Sequence, residues 1–428
     1  MNLHIKNGRV IDPANHIDKI QDLFIADGRV AALGMPPLGF SANRTIDATG
    51  QVVCPGLVDL CARLREPGLE YKGTIASETF AAASAGITTL CCPPDTDPVI
   101  DTPAVAELIR QRAEQANIVH VVTLGALTRG LAGTQLSEMA ALKAAGCVGV
   151  SNAMAPITNT SVMRSALEYA ATYQLTVFLY GEDHWLRHNG CMHEGAVSTR
   201  LGLPGIPAAA EIVGVTRDLA LIEQTGARAH FCRLSTAQAA QLVHRAQRQG
   251  LPVTADVSAH QLHLTEIDVG DFNSLCHVIP PLRSQRDMEG LREAVAKGII
   301  SCIVSDHQPH EQDAKLRPFA ETDPGISALE TLLPLSLRLT ENNLMSLSEV
   351  IARLTVNPAN ILGIPAGTLS VGARADICIF DPAMPWQLSE DTIVSRGRNS
   401  PFIGWPLEGK ATHTIVAGKL IYSHSVLA

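Results

Sequence analysis

Between residues 55 and 310, short runs of apolar and β-branched residues alternate with longer amphipathic stretches. The runs fall at 57–61, 87–92, 118–124, 147–151, 176–180, 228–233, 252–257 and 300–305, and read as strands. Helix-patterned stretches lie between them at 102–116, 136–145, 162–173, 208–225 and 236–249. Pro103 after Thr102 is a good helix start, and Gly250 a good stop. Eight buried-looking strands alternating with helices predict a parallel sheet, and eight strands close a (β/α)8 barrel. Further helical segments follow at 326–340 and 346–356.

The ends carry a different pattern. Residues 5–11, 23–25, 29–33 and 51–53 are strand-like, with Asn7-Gly8 and Asp27-Gly28 as hairpin turn signals. Residues 367–385 and 411–423 are again strand-like, with Ala417-Gly418 as a turn. Neither end has enough strands for a sandwich alone, so the two together predict one small β-sandwich domain. The expected α/β architecture is therefore 1–53 and 367–428 as a composite β domain, flanking a barrel at 54–366.

Bulk chemistry narrows the function. Apolar residues make up 46% of the 428, enough for a large core, and 18% charged residues is low for a disordered chain. A net charge of −9 argues against nucleic acid or an anionic membrane as partner, and 4% aromatics against base stacking. The first residues lack the basic flank and long apolar run of a signal peptide. Apolar stretches such as 80–92 are too short and too interrupted to span a bilayer. Ten cysteines without a C-x-x-C pair, two of them adjacent at Cys91-Cys92, read as reduced, mostly buried thiols of a cytoplasmic protein.

Chemistry in such a barrel belongs at the C-terminal ends of its strands. The first of these reads Cys61-Ala62-Arg63-Leu64-Arg65-Glu66-Pro67-Gly68. It resembles the signature of the dihydroorotase branch of the amidohydrolases, in which a metal-binding His-x-His precedes Leu-Arg-Glu-Pro-Gly. Here Cys61 and Arg63 stand at the histidine positions. By the same resemblance, Asn152 replaces the strand-4 aspartate, Tyr180 the strand-5 histidine and Arg233 the strand-6 histidine. Asp306, in Ser305-Asp306-His307-Gln308-Pro309-His310, keeps the catalytic aspartate position. The resemblance continues through 192–207, 325–331, 357–359, 372–376 and 398–405.

Arginines at two ligand positions donate hydrogen bonds and stay charged. The zinc site is therefore expected to be lost, with no metal or other cofactor and Asp306 as a vestige. Without a metal, nothing obvious lowers the pKa of a water to make hydroxide near neutral pH. Arg63 and Arg233 are expected to compensate the charge of Asp306. Arg65 and His310 are read as remnants of the substrate pocket, while Asp95 places a negative charge where an anionic substrate would lie. His260, His263 and His277 are read as pocket-wall or hydrogen-bonding histidines, and His307-x-x-His310 as a weak metal signal.

The resemblance implies a noncatalytic, dihydroorotase-like subunit of aspartate carbamoyltransferase in pyrimidine synthesis. It also implies six copies of each chain in the assembly, and self-association. The competing reading is an active cyclic-amide hydrolase with an altered metal site. A third is a homo-oligomeric interaction protein of another pathway.

Overall fold

A computed structural model describes residues 2–424. Eight parallel strands form one sheet: β1 (Leu57–Asp59), β2 (Ile87–Cys92), β3 (His120–Ala126), β4 (Gly149–Ser151), β5 (Thr176–Leu179), β6 (Ala229–Phe231), β7 (Val253–Ser258) and β8 (Cys302–Val304). Neighbours in sequence are neighbours in space throughout, and every pairing is parallel. Closure comes just beyond β1 and β8, where Ala62 bridges His307 and the Arg63 N–H donates to the His307 carbonyl at 2.9 Å. The predicted (β/α)8 barrel is present.

Local signals set the helices. Ala208–Thr225 matches its prediction and stops at Gly226, whose φ of 67° is the left-handed conformation that favours glycine. In Ala237–Arg248, the Thr236 hydroxyl caps the helix by accepting from the Ala239 N–H. The stretch at 136–145 is shorter than expected, Met139–Ala144. The one at 326–340 is Leu329–Leu337 followed by a 3-10 segment, Arg338–Asn343. Of the helices that were not anticipated, Ile75–Ser84 and Gln285–Ala296 are the longest among the described residues.

Both ends contribute to two further sheets. Strands Leu3–Lys6, Leu23–Ala26, Arg29–Leu33 and Arg44–Asp47 form a four-stranded sheet. Strands Arg9–Asp12, Ile17–Ile20, Val52–Pro55, Ile377–Gln387, Pro406–Val416 and Lys419–Ser423 form a six-stranded one. Leu3, Ile5, Leu23 and Ile25 of the first pack with Val53, Ile377, Ile379 and Ile415 of the second in a core of their own. Asp27-Gly28 and Ala417-Gly418 close hairpins as expected. Asn7-Gly8 does not: it passes the chain from one sheet to the other. Gly8 is needed there because a Cβ would lie 2.5 Å from Val53 Cγ2. Among the described residues no helix is long and apolar enough to cross a membrane.

Candidate functional site at the barrel mouth

One carboxylate organises the mouth. Asp306, immediately beyond β8, is 1% exposed, and its Oδ1 accepts from Arg233 Nη1 at 3.0 Å and Arg63 Nη1 at 3.3 Å. Gln308 Nε2 donates to the same oxygen at 3.2 Å, and the Cys61 thiol lies 3.6 Å from it. Arg63 also donates through Nε to Asp95 at 2.8 Å. Burial opposes ionisation of Asp95, yet Arg63 wins and holds its carboxyl below the usual carboxylate range. Asp95, expected to bring a negative charge to the substrate region, is in the fold the counter-ion of Arg63.

The backbone aims these side chains. Arg65, Arg233 and Asp306 have φ of 64°, 55° and 49°. Left-handed backbone at a non-glycine residue costs about 1–3 kcal/mol each, a cost typically found at functional sites. The Arg233 N–H is fixed by Asp256 Oδ1 at 2.6 Å, and its guanidinium lies 5.2 Å from the centre of the Tyr180 ring. Tyr180 thus supports Arg233 with its aromatic face, while its hydroxyl donates to Glu182 at 3.2 Å.

The remaining positions fall outside this group. Asn152 uses its whole amide locally: Oδ1 accepts from the Thr128 hydroxyl at 2.7 Å, and Nδ2 donates to the carbonyls of Leu131 and Ala155. It ties two mouth loops together beside a cavity of about 30 Å3, roughly one water in size. Arg65 and His310 touch each other, Nη2 to Nε2 at 3.1 Å, and Arg65 Nε donates to the Pro309 carbonyl. Burial, with Arg65 and Lys72 beside it, pushes His310 down to about 3. Arg65 is lowered to about 10, first by burial and then by Arg63.

The histidines divide clearly. His307 accepts the Ala328 N–H at Nδ1 and meets Glu78 at Nε2, 2.8 Å away, so both nitrogens are used. His263 and His277 are also hydrogen-bonded, to the Leu335 carbonyl and the Thr322 hydroxyl. His260 differs: it is 2% exposed, and neither ring nitrogen has a partner among the described residues. Burial pushes it down to about 4.

Similar proteins place this geometry in a family. A model described as dihydro-orotase-like matches residues 50–239, and one for the amidohydrolase family matches 278–422. Among solved structures, an L-hydantoinase from Arthrobacter aurescens superposes with a TM-score of 0.86 at 25% identity, covering 100% of this chain and 97% of that one. A dihydropyrimidinase from Brevibacillus agri gives 0.83 at 21%, covering 98% and 95%, a likeness of fold. The architecture is that of an amidohydrolase.

Sequence relatives are more specific. A dihydroorotase-like protein of Pseudomonas putida is 51% identical over 99% of both chains, and one of Pseudomonas aeruginosa 50% over 99% of this chain and 100% of its own. A dihydroorotase of Geobacter sp. strain M21 is 44% identical over 99% of both. The chain belongs to the dihydroorotase-like family of amidohydrolases.

A catalytic metal of that family would meet a poor donor set here. Arg63 and Arg233 present cationic donors, Asn152 has no free amide atom, and Tyr180 turns its hydroxyl to Glu182. Burial raises the Cys61 thiol, which keeps it protonated. Another group, His230, Cys232 and Asp256, has its donor atoms within 4.8 Å of one another beneath Arg233. There His230 already binds Thr254 and Asp256 through its two nitrogens, and burial raises the Cys232 thiol. A cation would have to displace those bonds and deprotonate that thiol. As arranged, the family's ligand positions do not fit a divalent metal, and the second group would have to give up those bonds to hold one.

Two contributors escaped the sequence reading, Gln308 and the pairing role of Asp95. The second had a signal. Arg63 adds a positive charge at a ligand position, and Asp95 adds a negative one at the end of the neighbouring strand.

Proposed function

We propose that the chain is a noncatalytic member of its family, holding no catalytic metal. In this reading it serves in the cytoplasm as an assembly subunit of aspartate carbamoyltransferase in pyrimidine synthesis. The observation that carries the noncatalytic part is the engagement of Asp306 by two guanidinium groups at 3.0 and 3.3 Å. Asp306 Oδ1 is thus occupied by protein donors, and no group at the mouth replaces a metal in making hydroxide. The partner rests on resemblance to noncatalytic dihydroorotase-like subunits, whose barrels hold transferase trimers together with six copies of each chain.

The test is co-expression with the transferase chain encoded in the same genome, followed by light scattering and assay of carbamoyl-aspartate formation. The expected result is a complex with equal numbers of the two chains and higher transferase activity than the transferase alone. Equal assembly and activity without this chain would refute the assembly role.

The His230, Cys232 and Asp256 group favours a second reading, a cyclic-amide hydrolase with a relocated metal. Stoichiometric zinc together with dihydroorotate turnover would select it.

A further inference from the structure

The end of the barrel opposite the mouth is incompletely covered. All six residues of β2 are buried, but the first three of its neighbour β3, His120, Val121 and Val122, stay part-exposed. Strands of a parallel barrel are normally covered on both faces. A cavity of about 360 Å3 opens onto these residues, between the strand starts, the end of helix Pro103–Ala116 and the Ala417-Gly418 turn of the composite β domain. Its walls are largely apolar, with Ile118, Val122, Ile364 and Ile421 among them. Small-molecule sites are typically of about 300–1,000 Å3, apolar, and placed where domains meet.

Two polar side chains stand side by side in this cavity. Thr89 and His120 are register partners in the parallel pairing of β2 and β3, so they leave the same face of the sheet from strands about 4.8 Å apart. Thr89 is 1% exposed, and its hydroxyl has no hydrogen-bond partner among the described residues. His120 meets Asp376 through Nε2 at 3.2 Å. Burial opposes ionisation of Asp376, but the bond from His120 helps to hold its carboxyl below the usual carboxylate range. Nε2 is therefore the protonated nitrogen, and Nδ1 of the neutral ring is an acceptor. Charge sets no sign here. The lining cations Arg110, Arg374 and Lys419 are matched by lining Glu114 and by Glu107 and Asp376, which pair with Arg110 and Arg374.

We propose that this cavity binds one small uncharged ring compound carrying an N–H beside a carbonyl, the N–H donating to His120 Nδ1 and the carbonyl accepting from the Thr89 hydroxyl. The apolar walls call for the ring, the balanced charges for its neutrality, and the acceptor beside a hydroxyl for its polar edge. The site is independent of the noncatalytic reading, because it lies at the strand starts and Asp306 at the strand ends.

The test titrates the full chain with carbostyril, a benzo-fused cyclic amide, and with N-methylcarbostyril and naphthoate as controls, by calorimetry. Saturable binding of carbostyril is expected, weakened about tenfold by the N-methyl group and in the separate variants His120→Phe and Thr89→Val. Naphthoate, apolar but charged, should not saturate. Crystals of the unaltered chain soaked in carbostyril should show the ring against Val122 and Ile364 with its nitrogen in hydrogen-bonding distance of His120 Nδ1. That readout survives failure of either variant to fold. An empty cavity, a ring seen in the crystal without saturable binding in solution, or tighter binding of naphthoate would each overturn the proposal. None of these results would bear on the engagement of Asp306.

Discussion

The barrel mouth and the ring of buried acids around it solve the same problem differently. In the ring, Glu211 accepts from the backbone N–H and hydroxyl groups of Ser235 and Thr236. Glu78 takes His307, Ser395 and the Arg396 N–H, and Asp59 takes the Ser305 and Cys61 N–H groups. These acids are satisfied largely by neutral, local donors, and they fasten the loops to the barrel. At the mouth, Asp306 is shared by two cations, and four nearby nitrogens are left over. The contrast teaches that these ring acids are bonded by local donors, whereas the carboxylate at the mouth is held chiefly by charged ones.

Removing the shared carboxylate breaks that contrast most severely. Asp306→Ala leaves two buried guanidinium groups without their common partner and should cost about 3–5 kcal/mol in urea unfolding. A loss below about 1 kcal/mol would mean that the arginines reach solvent, against their burial. The double variant Asp306→Leu/Arg233→Met removes the ion pair while Arg63 keeps Asp95, and should recover at least about half of that loss. If the double variant is less stable than Asp306→Ala, charge balance is not what matters at the mouth.

Acid should destabilise the fold through the histidines. His260 and His277 are pushed down to about 4, and His263 and His310 to about 3, mainly by burial. The unfolded chain takes up protons near the ordinary value of 6.5 that the folded chain refuses. Their contribution is therefore complete above pH 6.5 and falls away as the pH drops towards 4. Asp59 and Asp218, raised by burial to about 6, and Glu182, Glu211 and Glu330, raised by burial as well, act in the opposite sense, losing stability as the pH rises through the carboxylate range. His260→Gln should flatten the slope between pH 6.5 and 4 by about 1.4 kcal/mol per pH unit. An unchanged slope would show that His260 is protonated in the fold.

The smallest effect belongs to the loop tie. Asn152→Ala removes three hydrogen bonds around the β4 loop and should cost about 1–3 kcal/mol while leaving the Asp306 cluster intact. Crystallography of that variant would show whether Arg233 stays on Asp306. Movement of Arg233 would mean that the mouth and its surrounding loops are one unit.

The barrel was legible in the sequence because strands buried on both faces leave continuous apolar runs, as Ile87–Cys92 does residue for residue. The helix Ile75–Ser84 was not, since its Ala81-Ala82-Ala83 run shows no polar face and merges with the strand that follows. Gln285–Ala296 begins with polar residues and contains Gly290, which fits against Ala237 but reads as a loop in isolation. At the site, Arg63, Arg233 and Asp306 could be named from strand-end motifs. That Asp95 joins them, or that Asn152 turns away, depends on loop geometry that no spacing encodes. The solitary state of His260 is likewise a property of packing.

In the proposed noncatalytic reading, the guanidinium groups on Asp306 stand in place of metal-assisted hydrolysis. The most direct measurement is the initial rate of dihydroorotate hydrolysis by the purified chain, assayed with zinc supplied. The account predicts a rate equal to the enzyme-free blank. A zinc-dependent rate that disappears in Asp306→Asn would contradict it.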